Sequence, residues 1–176
     1  MVDDPSLAAD IAAACRLTGT FILRSGTVSD TYFDKYLFEA QPVLLQRMAA
    51  AMVALIPEDT DLLGGLELGG IPIATMVSAK TGIPTLFVRK QAKTYGTAKL
   101  AEGPDATDRR VTLIEDVITS GGAVRDATIA LRERGAVVEA VVCAIDRSPE
   151  DARPLADLQL DVRAVLTRAE LEATPN

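Results

Sequence analysis

The sequence predicts an α/β protein built around a mostly parallel central sheet with helices on its faces. Short apolar segments that suit buried strands alternate along the 176 residues with segments of helical periodicity. Glycines stop several of the helical segments. Polar or glycine-rich residues follow the predicted strands, where a parallel α/β sheet binds its ligands.

Four segments have the apolar spacing of a helix, and each has a recognisable start or stop. A glycine follows the first, third and fourth of them, as is common at a helix C-terminus. A proline begins the second segment and another follows it, in positions that favour a helix start and a helix stop. The four segments are residues 6–18, 42–56, 71–81 and 123–134, and the glycines are Gly19, Gly82 and Gly135.

The remaining apolar segments have the length and composition of strands. Two short strands are predicted around a turn within residues 21–36, and a last strand and helical turn near the C-terminus. Residues 90–104 lack a clear apolar period and are expected to form a long loop. No repeat or linker divides the chain, so we expect one domain over residues 1–176. The other strand segments are residues 61–68, 83–90, 111–116, 136–146 and 162–166.

Composition excludes several classes of protein. The formal charge of −7 argues against a general binder of nucleic acid or anionic membrane. The chain has no histidine, which excludes Ser-His-Asp and Cys-His catalysis. Cys15 and Cys143 lie in apolar segments and are expected to be reduced core residues. No signal peptide or membrane-spanning segment is seen, so a cytoplasmic protein is expected.

The segment VTLIEDVITSGGAV, residues 111–124, joins a predicted strand to a loop of unusual chemistry. The glycines of that loop allow close approach to a ligand, and its amides and hydroxyls suit a phosphate monoester. Glu115 and Asp116 would repel a phosphate but accept strong hydrogen bonds from ribose hydroxyls. The pattern therefore predicts a sugar-phosphate site, although a solvated strand end with a helix cap is the plainer alternative.

This segment resembles the motif that binds phosphoribosyl pyrophosphate (PRPP) in the type I phosphoribosyltransferases. The resemblance implies their fold, with a small hood formed mainly by residues 1–40 and the C-terminal tail. It implies that Glu115 and Asp116 bind the ribose hydroxyls. The residues implied to surround the 5′-phosphate are Thr119, Ser120, Gly121, Gly122 and Ala123.

Residues 6–150 are similar, within that family, to the orotate phosphoribosyltransferases. The segment FILRSGTVSDTYFD implies that Arg24 lies near the PRPP–orotate site and that Tyr32 and Phe33 help to form the base pocket. Ordinary core packing is the alternative for the two aromatic residues. The strand end AIDRS implies that Arg147 reads orotate, a planar anion suited to a guanidinium. A surface ion pair of Asp146 and Arg147 is the alternative.

Two further segments resemble the parts of this family that bind pyrophosphate. GGIPIA matches the pyrophosphate turn, where Gly69 replaces the lysine of many members and leaves backbone amides, including that of Gly70, as donors. VRKQAKTYG resembles the mobile catalytic loop. In that loop Arg89, Lys90 and Lys93 match the pattern, and Tyr95 stands where histidine is common.

The region around this loop is a local cationic segment in an acidic chain. Residues 68–101 contain no acidic residue, and such a segment suits a pyrophosphate leaving group. An ordinary solvated basic loop is the alternative. The basic residues of the segment are Lys80, Arg89, Lys90, Lys93 and Lys99.

The implied activity is transfer of the phosphoribosyl group from PRPP to orotate, with Lys93, Asp116 and Arg89 as the catalytic residues. The resemblance implies Mg²⁺ as cofactor, held mainly by PRPP and without a direct protein ligand. It also implies a homodimer in which the loop around Lys93 reaches the neighbouring subunit's site. No nucleic-acid or membrane partner is expected.

Two alternatives to this function stay open from the sequence. One is a phosphoribosyltransferase for another nucleobase. Arg147 and the RSG…YFD segment argue against this alternative. The other is a regulatory protein that keeps the same fold to sense PRPP. The chain has no room for a DNA-binding module before Phe21, and its acidity is unfavourable for DNA.

Overall fold

The computed structural model describes residues 4–22, 26–91, 100–149 and 151–174. The described elements follow one another as α1 (Leu7–Cys15), β1 (Arg16–Ile22), β2 (Val28–Phe33), α2 (Tyr36–Glu39), α3 (Pro42–Val53), β3 (Leu62–Leu66), α4 (Gly70–Thr81), β4 (Thr85–Val88), β5 (Ala101–Glu102), β6 (Arg110–Ile118), α5 (Gly122–Arg132), β7 (Val137–Asp146), a 3₁₀ turn (Ala156–Leu158), β8 (Asp161–Thr167) and α6 (Arg168–Glu172).

Six strands form one sheet in the order β5-β4-β3-β6-β7-β8, and β1 and β2 form a separate antiparallel pair. Every pairing in the larger sheet is parallel except that of β5 with β4. Parallel sheets need helices on both faces, and strands buried on both sides are nearly continuous in apolar residues. β3 and most of β7 are buried in this way, which confirms the predicted α/β class.

The alternation of β6 divides the core between the two faces of the sheet. Ile114 packs in the cluster formed with α1, α3, α4 and α6, whereas Leu113 packs in the cluster formed with α5. Both side chains are fully buried. Consecutive residues at the carboxyl end of β6 therefore belong to different faces.

Several boundaries differ from those predicted by the sequence. The first helix ends at Cys15, not at residue 18, because the residues after it form β1 and pair with β2. This pairing begins with Arg16, which lies opposite Phe33. Gly19 consequently lies inside a strand. β6 continues past Asp116 to Ile118, paired with β7. The predicted loop 90–104 contains β5, and the short helix α2 was not predicted.

The strand order places a crevice between β3 and β6. The chain leaves β3 through α4 toward β4 on one side, and leaves β6 through α5 toward β7 on the other. Connections that diverge from two neighbouring parallel strands open a space at their carboxyl ends, and open α/β sheets bind ligands there. Among the described residues, no helix is long and apolar enough to cross a membrane.

The absence of a side chain at Gly70 allows α4 to approach β6 closely, so a larger residue there is expected to destabilise the fold. A Cβ at this position would overlap the carbonyl oxygen of Ile114. We expect Gly70→Ala to lower the free energy of unfolding by about 1–3 kcal/mol, because backbone must shift to relieve the overlap. Urea denaturation followed by circular dichroism measures this change.

Gly122→Ala is the matched control, since the nearest atom to its Cβ would be Ser120 Oγ at 3.9 Å. We expect that variant to stay within about 0.5 kcal/mol of the parent protein. Equal stabilities for the two variants would contradict the close approach of α4 to β6.

Candidate active site

A cavity of about 840 Å³ opens at the carboxyl end of the sheet, beside the crevice between β3 and β6. Glu67 follows β3, Arg89 and Lys90 follow β4, and Glu115 projects from β6 into the same cavity. The loop from β6 to α5 forms the opposite wall. The structure thus brings residues from the ends of three strands, β3, β4 and β6, together at one cavity.

The 119–123 loop presents hydroxyls and amides to this cavity. Thr119 and Ser120 are exposed, and α5 begins at Gly122 with no acidic residue in its first turn. Gly121 has φ +71°, and a Cβ there would lie 2.9 Å from the side chain of Leu155. Unpaired amides at the start of a helix favour an anion. The loop therefore has the geometry and charge of a phosphate site.

Glu115 and Asp116 occupy different environments because they are consecutive residues of a strand. Glu115 lines the cavity and is 7% exposed, and its Oε2 has no hydrogen-bond partner among the described residues. Asp116 is fully buried on the other face, where its Oδ1 accepts a 2.6 Å hydrogen bond from the Val117 amide. The two acids are adjacent in sequence but are not equivalent.

Two residues that the sequence did not single out contact Asp116 from the side of α2. The ammonium of Lys35 forms an ion pair with Asp116 Oδ2. Glu39 is 8% exposed, and its Oε1 lies beside Gly69 on the same side. The four-residue spacing of Lys35 and Glu39 would place them together only on a helix, and four residues are too short for a periodicity to reveal one.

The carboxyl groups in this region have pKa values that burial and hydrogen bonding drive apart. Burial, followed by hydrogen bonding to Asp116, raises the pKa of Glu39 to about 8. The same two causes raise the pKa of Glu115 well above its usual range. Burial also acts to raise the pKa of Asp116, but hydrogen bonds from Glu115 and Lys35 outweigh it and lower that pKa. Asp116 is therefore the carboxylate that stays ionised.

The turn after β3 meets Asp116 at a point where a side chain has no room. A Cβ on Gly69 would overlap Asp116 Oδ2 and lie 2.7 Å from Glu39 Oε1. The Glu67–Leu68 peptide bond in this turn is cis. Glu67 Oε2 accepts a 2.9 Å hydrogen bond from the Lys90 amide, which ties the turn to the end of β4. We call the group of Lys35, Glu39, Gly69 and Asp116 the Gly69 corner.

Three of the five basic residues of the acid-free segment, Lys80, Arg89 and Lys90, lie in the described part of the chain, and Lys93 and Lys99 lie outside it. Arg89 is half-buried, and its Nε has no hydrogen-bond partner within the described part of the chain. Lys90 is exposed at the rim of the cavity. Lys80 lies in the last turn of α4 and does not line the cavity. The cationic character of the cavity therefore comes, in the described residues, from the end of β4.

A second group of side chains lies where β2 meets the end of β7. The guanidinium of Arg147 lies 5.1 Å from the ring centre of Phe33, a cation–π distance. Burial and then the charge of Arg168 lower the pKa of Arg147. Tyr32 precedes Phe33 in the strand and packs instead with Phe21, at 5.5 Å between ring centres. Phe33 therefore contacts Arg147, whereas the side chain of Tyr32 lies on the opposite face of β2.

Three of the residues predicted to act at the site lie outside the described part of the chain. They are Arg24, Lys93 and Tyr95.

Comparison with known proteins agrees with this geometry. Residues 39–163 match the family model of the phosphoribosyl transferase domain. An orotate phosphoribosyltransferase of Nocardioides sp. is 70% identical over 173 residues, covering 98% of this chain and 97% of the relative.

Two solved structures of Mycobacterium tuberculosis orotate phosphoribosyltransferase share the fold. A complex with Fe(III) dicitrate has a TM-score of 0.85 at 30% identity, covering 95% of this chain and 97% of that one. A complex with PRPP has a TM-score of 0.77 at 26% identity, covering 96% and 98%. The chain therefore belongs to the phosphoribosyltransferases and, among them, to the orotate phosphoribosyltransferase family.

Proposed function

We propose that the protein transfers the 5-phosphoribosyl group of PRPP to orotate, giving orotidine 5′-monophosphate and pyrophosphate in the synthesis of UMP. The observation that carries this proposal is the cavity at the carboxyl ends of β3, β4 and β6, where an acid-free helix start lies across from the buried Glu115. The close relative named for this reaction supports it.

PRPP would bind with its 5-phosphate on the amides and hydroxyls of the 119–123 loop. Its ribose would lie toward Glu115, whose free Oε2 is placed to accept from a hydroxyl. Asp116, which is ion-paired with Lys35, would be the second ribose acceptor. The diphosphate would then lie toward Gly69 and Gly70. Arg89 and Lys90, which line the cavity at the end of β4, would supply positive charge for it.

Orotate would bind beside Phe33 and Arg147. The guanidinium is already desolvated and stacked on the ring, so it can form two parallel hydrogen bonds to a carboxylate at small entropic cost. By resemblance, Arg24 and Tyr95 complete the pocket, whereas Tyr32 packs with Phe21 on the opposite face of β2 and is not placed to join it. The glycosidic bond forms from the ring nitrogen to ribose C1 as the bond from C1 to the diphosphate oxygen breaks.

Catalysis in this proposal consists of alignment and charge stabilisation. No protein nucleophile is needed, because the ring nitrogen of orotate itself forms the bond to ribose C1 and the leaving diphosphate takes the electron pair of the broken bond. The proton of that nitrogen passes to the diphosphate or to water. Arg89, and Lys93 by resemblance, would stabilise the charge that develops on that group. We propose that the loop around Lys93 closes over the site and limits hydrolysis of PRPP.

Mg²⁺ is proposed to enter with PRPP. Across residues 4–22, 26–91, 100–149 and 151–174, no group of three acidic or cysteine side chains is placed to hold a metal ion. By resemblance, diphosphate oxygens of PRPP and water would supply its ligands, and no direct protein ligand is proposed. Bound Mg²⁺ would neutralise charge on the leaving diphosphate.

The remaining features of the proposal concern the whole protein. One domain with a hood from residues 1–40 and the C-terminal tail is supported by the packing of α1 against α6. A homodimer that shares the Lys93 loop is proposed by resemblance, and the exposed Ile22 and Val28 of the hairpin supply apolar surface. The unpaired, buried cysteines support a cytoplasmic location.

A direct assay tests the reaction and the choice of base. We expect orotate absorbance to fall when PRPP is added in the presence of Mg²⁺, and to stay constant when EDTA replaces the metal. Uracil, xanthine and adenine, tested in parallel, are expected to give no nucleotide because they lack the carboxylate that Arg147 would bind. Turnover of another base in preference to orotate would contradict the proposal.

A second prediction concerns Asp116. We expect Asp116→Asn to lower kcat/KM for PRPP about ten- to a hundredfold, because an amide accepts weaker hydrogen bonds and forms no ion pair with Lys35. Steady-state kinetics with varied PRPP measure the effect.

Asp59→Asn is the matched control for that measurement, since Asp59 precedes β3 at the opposite end of the sheet and is exposed. It is expected to behave as the parent protein. An unchanged kcat/KM in Asp116→Asn would remove Asp116 from the PRPP site.

A further inference from the structure

Two buried carboxyl oxygens converge at the Gly69 corner. Glu39 Oε1 and Asp116 Oδ2 both lie within 2.7 Å of the position that a Cβ on Gly69 would take. Neither Glu39 nor Asp116 is more than 8% exposed. Glu39 Oε1 meets no amide, hydroxyl or ammonium donor in the described part of the chain. A buried acceptor without a donor is costly, so its environment calls for an explanation.

The arrangement requires a proton between the two carboxyl groups. Two ionised carboxylates in contact and out of water repel each other, so one of such a pair keeps its proton. The protonated member then donates a hydrogen bond to the ionised one. This single proton satisfies both buried oxygens at once.

The proton belongs to Glu39 because the other donors of the corner all favour ionised Asp116. Lys35 forms its ion pair with Asp116, and the Val117 amide donates to Asp116 at 2.6 Å. Burial raises the pKa of Glu39, whereas the pKa of Asp116 is lowered. Glu39 is thus neutral at pH 7 and donates to an anionic neighbour.

The charged and titratable groups around Glu39 come from three parts of the chain. The segment that includes α2 supplies Lys35 and Asp34, and the end of α1 supplies Cys15. β6 supplies Asp116, which in turn interacts with its neighbour Glu115. Lys35 opposes protonation of Glu39, and the acidic neighbours favour it. The turn that leads into α4 adds no charge at Gly69 and Gly70.

We propose that Glu39 is a positioning residue for PRPP, whose neutral carboxyl group donates to Asp116 and holds that carboxylate in place at the Gly69 corner. The proposal rests on the proposed function and assigns Glu39 a role through Asp116, without contact to the substrate. Lys35 and Glu39 together keep the corner free of net negative charge. A polyanion such as the diphosphate of PRPP can then approach it.

PRPP binding is expected to depend on pH because only the protonated form of Glu39 donates a hydrogen bond to Asp116. Below about pH 8 Glu39 carries its proton and donates. Above that pH it ionises, repels Asp116 and adds a negative charge beside the diphosphate site. PRPP binding is therefore full below the pKa of Glu39 and weakens as pH rises through it.

The experiment compares the parent protein with Glu39→Gln and Glu39→Ala from pH 6 to pH 9.5, with PRPP varied at saturating orotate and Mg²⁺. In the parent protein, KM for PRPP is expected to rise above pH 8, approaching about tenfold for each pH unit as one proton is lost. Glu39→Gln keeps a neutral donor that does not titrate. Its KM is expected to match the parent at pH 7 and to show no such rise.

Glu39→Ala has no donor, and its KM for PRPP is expected to be about fivefold higher than the parent value at pH 7. kcat is expected to stay within about twofold in both variants, because Glu39 does not touch the reacting atoms. Glu58→Gln, an exposed residue before β3, is the control and is expected to follow the parent profile.

Two results would overturn the proposal. One is a Glu39→Gln profile that rises with pH as the parent does, and the other is a Glu39→Ala protein with the KM of the parent. If Glu39→Ala does not fold, the Glu39→Gln profile decides alone. Absence of orotate turnover in the parent protein would instead contradict the proposed function, so the two failures are distinguishable.

Discussion

The contact between β6 and the bare backbone at Gly69 is the constraint on which the site depends. Any side chain at residue 69 would overlap the Asp116 carboxylate, and any at residue 70 would overlap the carbonyl of Ile114. Close packing therefore sets the start of α4 directly against the acidic end of β6. Because the connections of β3 and β6 diverge at this point, the same packing leaves a cavity whose walls are fixed by the sheet.

Charge in this region is arranged so that acids can lie beside a site for a polyanion. Glu39 and Asp116 meet beside the ammonium of Lys35, where burial raises the pKa of Glu39 and the ion pair with Lys35 helps to keep Asp116 ionised. Burial also raises the pKa of Glu115, on the opposite face of β6. The 119–123 loop adds amides and hydroxyls but no acid. The loop and the first turn of α5, where a phosphate group would bind, thus carry no negative charge.

Much of this could be predicted from the sequence because the informative signals are local. The alternation of apolar strands with helices predicted the sheet, and the residues that follow its strands predicted the cavity wall at Glu115 and the 119–123 loop. The separation of Glu115 from Asp116 was also within reach, since β6 continues through both residues and successive side chains alternate.

Other features depend on contacts between distant parts of the chain. Lys35 and Glu39 reach Asp116 because the short helix α2, which packs against α1 and α3, brings them to the end of β6. A helix of four residues leaves no period to detect. The boundary at Cys15 likewise depends on pairing with β2, and tertiary pairing outweighed the helical propensity of the alanine-rich segment.

A crystal structure of the protein soaked with PRPP and Mg²⁺ would show whether the sugar phosphate binds at the carboxyl end of β6. We predict the 5-phosphate at about 3 Å from amides of the 119–123 loop. A ribose hydroxyl should lie on Glu115 and the diphosphate over Gly69 and Gly70. A sugar phosphate bound away from this cavity, or an empty loop with the corner filled by protein side chains, would contradict the account.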